Sequence, residues 1–113
     1  MITIYGIKNC DSVKKARGWL EERGLDYQFH DFKTAGVPAE KLEGWLADFG
    51  WKQVINRRSK SWRELTPDVR AHMDNRQALD AAIETPTLIR RPIVEQNNRI
   101  LIGFDPQQFE QLT

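Results

Sequence analysis

The chemistry that the sequence suggests centres on Cys10, the only cysteine in the chain. It follows a predicted strand and loop and directly precedes Asp11 and Ser12, residue types that favour the start of a helix. A helix N-terminus carries unpaired N–H groups and about half a positive charge, and both stabilise a thiolate. A lone cysteine is more often a buried structural residue, but this position favours a reactive thiol.

The chain provides no second thiol that could resolve a disulfide at Cys10. Val13 stands where a Cys-x-x-Cys motif would have its second cysteine. Any redox cycle must therefore use a thiol from outside the chain, such as glutathione or another protein. His30 and His72 lack metal-ligand spacing with the cysteine, so we expect no metal site.

A predicted strand–helix–strand unit positions Cys10. Residues 1–5 are mostly β-branched or aromatic and predict a strand, and residues 26–32 predict a second strand whose inward face is uncertain. Between them, apolar residues recur at helical spacing from residue 13, and Gly24 is expected to end the helix. Two strands joined by a helix of about 12 residues indicate a parallel pair.

The middle of the chain, from about residue 38 to residue 84, is predicted to be helical. Residues 42–49 have the spacing of an amphipathic helix that ends at Gly50, and Pro67 can open another helix before residues 76–84. The tryptophans share this helical spacing, so we interpret them as packing residues rather than a base-stacking surface. They are Trp19, Trp45, Trp51 and Trp62.

The last part of the chain predicts a β-hairpin followed by a short helix. Ile93 and Val94 begin one strand, Asn97 and the asparagine after it favour a turn, and residues 100–102 form the returning strand. Asp105 and the proline after it can open the final helix. The pattern predicts an α/β fold with a mixed sheet, parallel at its start and antiparallel at its end.

Composition restricts the classes of function. The chain has 113 residues, 17 basic and 16 acidic, and its net charge of +1 argues against broad nucleic-acid binding. No apolar run approaches the roughly 18 residues of a membrane span, and the N-terminus does not have the pattern of a signal peptide. With one unpaired cysteine, these features predict a cytoplasmic protein, with a monomer as the default.

Several segments together resemble a known family over nearly the whole chain. The chain is similar to the thioredoxin-fold arsenate reductases (ArsC) and Spx-type regulators, and most closely to the YffB branch of that family. The segments that carry the resemblance are Ile4-Tyr5-Gly6, Asn9-Cys10-Asp11, Lys14-Lys15-Ala16, Asn56-Arg57-Arg58-Ser59, Leu88-Ile89-Arg90-Arg91-Pro92-Ile93-Val94 and Ile102-Gly103-Phe104.

The resemblance implies a single domain over residues 1–113. Its fold would be thioredoxin-like (glutaredoxin-like), with a mixed four-stranded sheet flanked by helices and a helical insertion at approximately 38–84. The resemblance also implies that Cys10 is the active thiol, that Arg58 and Arg91 flank it, and that the peptide bond before Pro92 is cis. A guanidinium stays charged and binds oxyanions and carboxylates through a planar fork, which suits this position. Arg57 and Arg90 are interpreted as surface residues.

The leading functional hypothesis is a glutathione-dependent thiol reductase with no bound cofactor. Cys10 would attack an oxidised or electrophilic sulfur or be capped by glutathione, and Arg58 and Arg91 would bind the anionic partner. The residues expected to frame the ligand site through their backbone are Asp11, Ser12, Val13 and Pro92.

Two further hypotheses remain open. One is a regulatory adaptor that docks on RNA polymerase without direct nucleic-acid contact and without needing a reactive Cys10. The other is arsenate reduction, but this chain departs from the resembled enzymes at two places. It has Gly6 where they have a histidine, and Ile102-Gly103-Phe104 where they have a third arginine.

Overall fold

Four strands form a single mixed sheet in the computed structural model, which describes residues 1–113. The spatial order is β2-β1-β3-β4; β1 runs parallel to β2 and antiparallel to β3, which is antiparallel to β4. The predicted mixed four-stranded sheet is therefore confirmed. The strands are β1 (Ile2–Gly6), β2 (Tyr27–Asp31), β3 (Ile93–Gln96) and β4 (Arg99–Ile102).

Eight α-helices connect and flank the strands, and none is long and apolar enough to cross a membrane. Three of them, α2, α4 and α5, are single turns that the sequence did not predict as separate helices, because four residues are too few to show a helical period. Two of these, α4 and α5, lie within the segment 38–84 that was predicted to be helical. The helices are α1 (Asp11–Glu22), α2 (Phe32–Ala35), α3 (Ala39–Phe49), α4 (Trp51–Val54), α5 (Lys60–Arg63), α6 (Pro67–Ala71), α7 (Asn75–Glu84) and α8 (Pro106–Phe109), with 3₁₀ turns at Pro86–Leu88 and Glu110–Leu112.

The chain divides into two compact units. The first unit combines Met1–Ala35 with Arg91–Thr113 and contains the whole sheet, and the second comprises Gly36–Arg90. The helical segment expected at 38–84 lies inside the second unit, which begins slightly earlier and ends slightly later.

The first unit has its core between α1, α8 and one face of the sheet. Ala16 and Leu20 of α1 have no exposed surface, as their spacing predicts, and Trp19 meets Phe109 edge-on with ring centroids 5.5 Å apart. The uncertain inward face of β2 is also resolved, because its aromatic side chains pack against this core. The sheet residues of the core are Ile2, Ile4, Val94 and Leu101, with Tyr27 and Phe29 packed beside them.

In the second unit, α3 packs against α7. Leu42, Trp45 and Leu46 of α3 are at most 2% exposed, which matches the predicted amphipathic spacing. Asn75 at the start of α7 connects the end of α3 to the next helix: its Nδ2 donates to the carbonyl of Leu46 at 3.1 Å, and its Oδ1 accepts the N–H of Trp51 at 2.9 Å. The Asn75 side chain thus holds the end of α3 and the start of α4 through two hydrogen bonds.

Two of the four tryptophans differ from the prediction that all are packing residues. Trp19 and Trp45 are buried, but Trp51 and Trp62 are half-exposed and stack on each other with centroids 5.8 Å apart and planes 18° apart. Both lie in single-turn helices of the second unit, Trp51 in α4 and Trp62 in α5.

The sheet and α1 approach each other closely at Gly6, the last residue of β1. A Cβ atom placed on Gly6 would lie 2.7 Å from Cγ2 of Val13, closer than any real contact allows. Val13 has no exposed surface, and its β-branched side chain has little rotational freedom. This position therefore requires glycine for steric reasons.

We expect Gly6→Ala to lower the free energy of unfolding by about 1–3 kcal/mol, because the added methyl overpacks the contact with Val13. Urea unfolding followed by circular dichroism measures this. The loss of unfolding free energy caused by Gly6→Ala should be smaller in a Val13→Ala background, since the two positions are in contact. Gly18→Ala is the matched control: its Cβ would meet nothing within 4 Å, so it should not destabilise. Equal costs at both glycines would contradict the steric explanation.

Candidate thiol site

Cys10 is the N-cap of α1, as its sequence position predicts. Its backbone is extended (φ −138°, ψ 124°), and its carbonyl accepts the N–H of Lys14 at 2.9 Å. The side chain is half-exposed and makes no capping hydrogen bond. Cys10 is therefore partly exposed at the start of a 12-residue helix, and its sulfur makes no capping hydrogen bond.

The first turn of α1 offers main-chain donors beside the cysteine. The N–H groups of Asp11, Ser12 and Val13 have no intrahelical acceptor, since the first N–H groups of any helix lack one, and no side chain supplies one. Such groups and the helix dipole stabilise a bound anion or a thiolate. Val13 differs in that its side chain is buried, so only its backbone can serve a ligand.

The register of the sheet brings Arg91 and Pro92 to the same end of the first unit as the cysteine loop. Tyr5 on β1 pairs with Ile93 on antiparallel β3. The chain leaving β1 toward Cys10 and the chain entering β3 from Arg91 consequently meet at one sheet end. The structure thus places Cys10 and Arg91, some eighty positions apart in the sequence, on segments that meet at one end of the sheet.

The guanidinium of Arg91 has a polar atom that the protein does not satisfy. Its Nε is buried and has no hydrogen-bond partner, whereas the residue as a whole is half-exposed. A buried donor without an acceptor costs about 1–3 kcal/mol. An anion bound by this guanidinium would provide acceptors, which fits the role that the family resemblance implies for Arg91.

The Arg91–Pro92 peptide bond is cis, as the resemblance implied. The carbonyl of Pro92 accepts the N–H of Gly103 at 2.8 Å, so the start of β3 is tied to the end of β4. Because proline has no N–H and its carbonyl is already engaged, Pro92 can offer a ligand little backbone hydrogen bonding. Its contribution to framing a site would lie in the shape of the chain.

Arg58 belongs to the second unit, so its expected position beside Cys10 stays a prediction. It lies in a turn where Oδ1 of Asn56 accepts the Arg58 N–H at 3.0 Å, and the carbonyl of Asn56 accepts the Ser59 hydroxyl at 2.7 Å. Ser59 then caps α5 by accepting the N–H of Trp62 at 3.1 Å. The turn leaves the Arg58 side chain exposed, as is also the case for its neighbour Arg57.

A polar cluster on the other face of the sheet was not found from the sequence. The buried Tyr5 hydroxyl donates to Oε1 of Glu95 at 2.9 Å, and its ring lies 5.2 Å from that of His30 and 6.3 Å from that of Phe32. Burial, reinforced by the Glu95 carboxylate, raises the pKa of Tyr5 well above its ordinary value, so the phenol stays protonated at neutral pH. Residues 90 positions apart form this contact, and no local pattern signals it.

The structure contains no group of three or more His, Cys, Asp or Glu side chains arranged to hold a metal ion. His72 lies at the surface 3.4 Å from Asp68, and His30 belongs to the aromatic cluster around Tyr5. The groups described at the site are a thiol, main-chain donors and a guanidinium.

Comparisons with known proteins identify the family and the fold. The model of the ArsC family matches residues 5–112. A solved protein named YffB is 39% identical and superposes with a TM-score of 0.94, covering 98% of this chain and 97% of its own. A solved ArsC-related protein from Brucella melitensis is 44% identical with a TM-score of 0.79, covering 97% and 92%. The global transcriptional regulator Spx of Streptococcus pyogenes is 31% identical over 110 residues, covering 96% and 81%.

We expect the folded chain to react with iodoacetamide at pH 7 about tenfold faster than the urea-unfolded chain, because N–H groups without acceptors at the start of a helix interact favourably with an attacking sulfur anion. Intact mass measures the rate, and each adduct reports Cys10 because no other thiol is present. The reaction of free cysteine with and without urea corrects for the solvent. A folded chain that reacts more slowly than the unfolded one would show that the helix end does not activate the thiol.

Proposed function

Because the chain belongs to the ArsC family, we propose that it is a glutathione-dependent thiol reductase whose nucleophile is Cys10. The observation that supports this most strongly is the accessible thiol at the uncapped start of α1, beside N–H groups that lack acceptors. The thiolate is the form that attacks disulfides, and main-chain donors at the start of a helix interact favourably with an anion. Glutathione is proposed as co-substrate, with no resident cofactor.

The absence of a second cysteine determines the form of the cycle. In the first step, the Cys10 thiolate attacks the glutathione sulfur of a mixed disulfide; that S–S bond breaks, and the substrate leaves as a thiolate that takes up a proton. In the second step, the thiolate of a glutathione molecule attacks the same glutathione sulfur, releasing oxidised glutathione and regenerating Cys10. In the net reaction, one mixed disulfide and one free glutathione give the substrate thiol and one oxidised glutathione. One half of that oxidised glutathione comes from the mixed disulfide and the other half from the free glutathione.

Arg91 is the residue proposed to recognise glutathione. Glutathione carries two carboxylates, and a guanidinium binds a carboxylate through two parallel hydrogen bonds. The unsatisfied Nε of Arg91 and its place at the sheet end reached by the Cys10 loop support this role. Arg58 is proposed as a second anion-binding group on the strength of the family resemblance. The reducing cytoplasm, which keeps a lone thiol reduced, is the proposed location.

A regulatory adaptor is the second candidate, and the Spx relative at 31% identity is the observation that favours it. In this role the protein would bind a protein partner, with RNA polymerase as the specific proposal, and would not need catalysis. Co-purification with RNA polymerase subunits tests this. Retention of the interaction by Cys10→Ser, together with no measurable turnover by the unaltered protein, would favour the adaptor over the reductase.

Arsenate reduction is less well supported by the geometry. The resembled enzymes have a histidine where this chain has Gly6, and Val13 fills the space that any side chain on Gly6 would need. No side chain can therefore take over that position without a rearrangement of α1. Arsenate-dependent turnover by this chain would directly contradict the conclusion that arsenate reduction is the less well supported activity.

We expect Arg91→Ala to slow the formation of the Cys10–glutathione disulfide from oxidised glutathione by about tenfold, because one charge-assisted carboxylate contact is lost. Intact mass follows the adduct with time. Arg91→Lys should restore part of the rate through its charge but not the bidentate geometry.

The neighbouring Arg90→Ala variant is the matched control for Arg91→Ala. Arg90 is exposed and forms its hydrogen bond to the Val54 carbonyl through the main chain, so this variant should capture glutathione at the unaltered rate. Equal rates for both alanine variants and the unaltered chain would remove Arg91 from the proposed site.

A further inference from the structure

Positive charge is concentrated in one short segment of the second unit. Over the whole chain, 17 basic and 16 acidic residues nearly balance. Between Asp48 and Glu64, however, there are five basic residues and no acidic one. The five are Lys52, Arg57, Arg58, Lys60 and Arg63, and all of them are exposed.

None of these five side chains makes an ion pair in the structure. Instead, the guanidinium of Arg63 donates to the carbonyl of Arg58 at 2.9 Å, and that of Arg70 donates to the carbonyl of Arg63 at 3.0 Å. The arginines are thus held together by each other's main chain rather than by carboxylates. The positive potential of this surface is left for an external anion.

Half-exposed aromatic rings lie within the same surface. Trp51 and Trp62 stack on each other, the Arg57 guanidinium lies 5.7 Å from the centroid of the Trp51 ring, and the Lys52 ammonium lies 6.0 Å from it. Tryptophan and arginine are the residues most enriched among the dominant contacts of protein interfaces. We call this surface the basic aromatic face; it comprises Trp51, Lys52, Arg57, Lys60, Trp62 and Arg63.

From this combination we infer that the basic aromatic face docks an acidic segment of a partner protein. The carboxylates of glutamate or aspartate would pair with the unpaired cations, and the stacked rings would contact the partner's aliphatic groups. Single-stranded nucleic acid fits less well, because binding it requires ring faces for base stacking, and the Trp51 ring is already covered by Trp62 and Arg57.

The inference rests only on residues of the second unit and does not require the reductase chemistry. A partner bound here could be a substrate protein or a regulatory one. Cys10→Ser should therefore bind an acidic segment as well as the unaltered chain does, even if it abolishes glutathione capture. Failure of one proposal is thereby distinguishable from failure of the other.

The test uses fluorescence anisotropy with a fluorescein-labelled glutamate-rich peptide, the same peptide with glutamine at every glutamate, and a labelled single-stranded oligonucleotide. We expect saturable binding of the glutamate peptide alone. Arg57→Gln/Arg63→Gln should weaken it by about tenfold, since each partly exposed pair contributes modestly. Arg57→Lys/Arg63→Lys should keep most of the affinity, which would separate loss of charge from local unfolding of α5.

The matched control, Lys33→Gln/Arg76→Gln, removes the same total charge from exposed positions outside the face. It should leave the affinity within about twofold of the unaltered chain. Three results would each overturn the inference: no saturable binding of the glutamate peptide, equal losses in the test and control variants, or tighter binding of the oligonucleotide than of the peptide.

Discussion

The close approach of β1 and α1 at Gly6 and Val13 determines where the thiol lies. Because the first turn of α1 packs its buried valine directly on the end of β1, the chain has only residues 7–10 in which to leave the strand and enter the helix. Cys10 therefore takes the N-cap position, and its extended backbone leaves the sulfur beside main-chain donors that the helix cannot use. The reactivity proposed for the thiol is a consequence of this contact.

The same contact bears on the external thiol that the proposed chemistry requires. Val13 stands where a second cysteine of a Cys-x-x-Cys motif would lie, and it is fully buried against Gly6. The position serves packing, so the proposed cycle, which begins with Cys10, has to be completed by a thiol supplied by another molecule. The Arg91 guanidinium, whose buried Nε has no acceptor and which lies at the sheet end that the cysteine loop reaches, is the group proposed to hold an anionic thiol such as glutathione.

The sequence predicted the elements that local rules govern. Asp11 and Gly24 marked the ends of α1, and Asn97, which has a φ of 54°, marked the hairpin turn. The family resemblance, and no local pattern, predicted the thioredoxin-like fold and the cis bond before Pro92. The single-turn helices α2, α4 and α5 were not predicted individually because they lack a period, and the tryptophan stack was not predicted because both rings were assigned to a core.

Long-range contacts account for what the sequence left open at the candidate site. The Tyr5–Glu95 hydrogen bond and the unsatisfied Nε of Arg91 depend on how distant segments meet in space, which spacing along the chain does not encode. For Cys10 the local signal was sufficient, because an N-cap is set by the residues next to it. The placement of Arg58 beside the thiol rests on the family resemblance.

The most direct test of the central claim is steady-state reduction of a glutathionylated peptide by glutathione, measured as the production of oxidised glutathione. With Cys10 as the nucleophile, we expect saturation in both substrates with parallel double-reciprocal lines, since a covalent intermediate separates the two half-reactions. Cys10→Ser should show no rate above the uncatalysed background. Turnover by Cys10→Ser equal to that of the unaltered chain, or a glutathionylated Cys10 that glutathione does not release, would contradict the account.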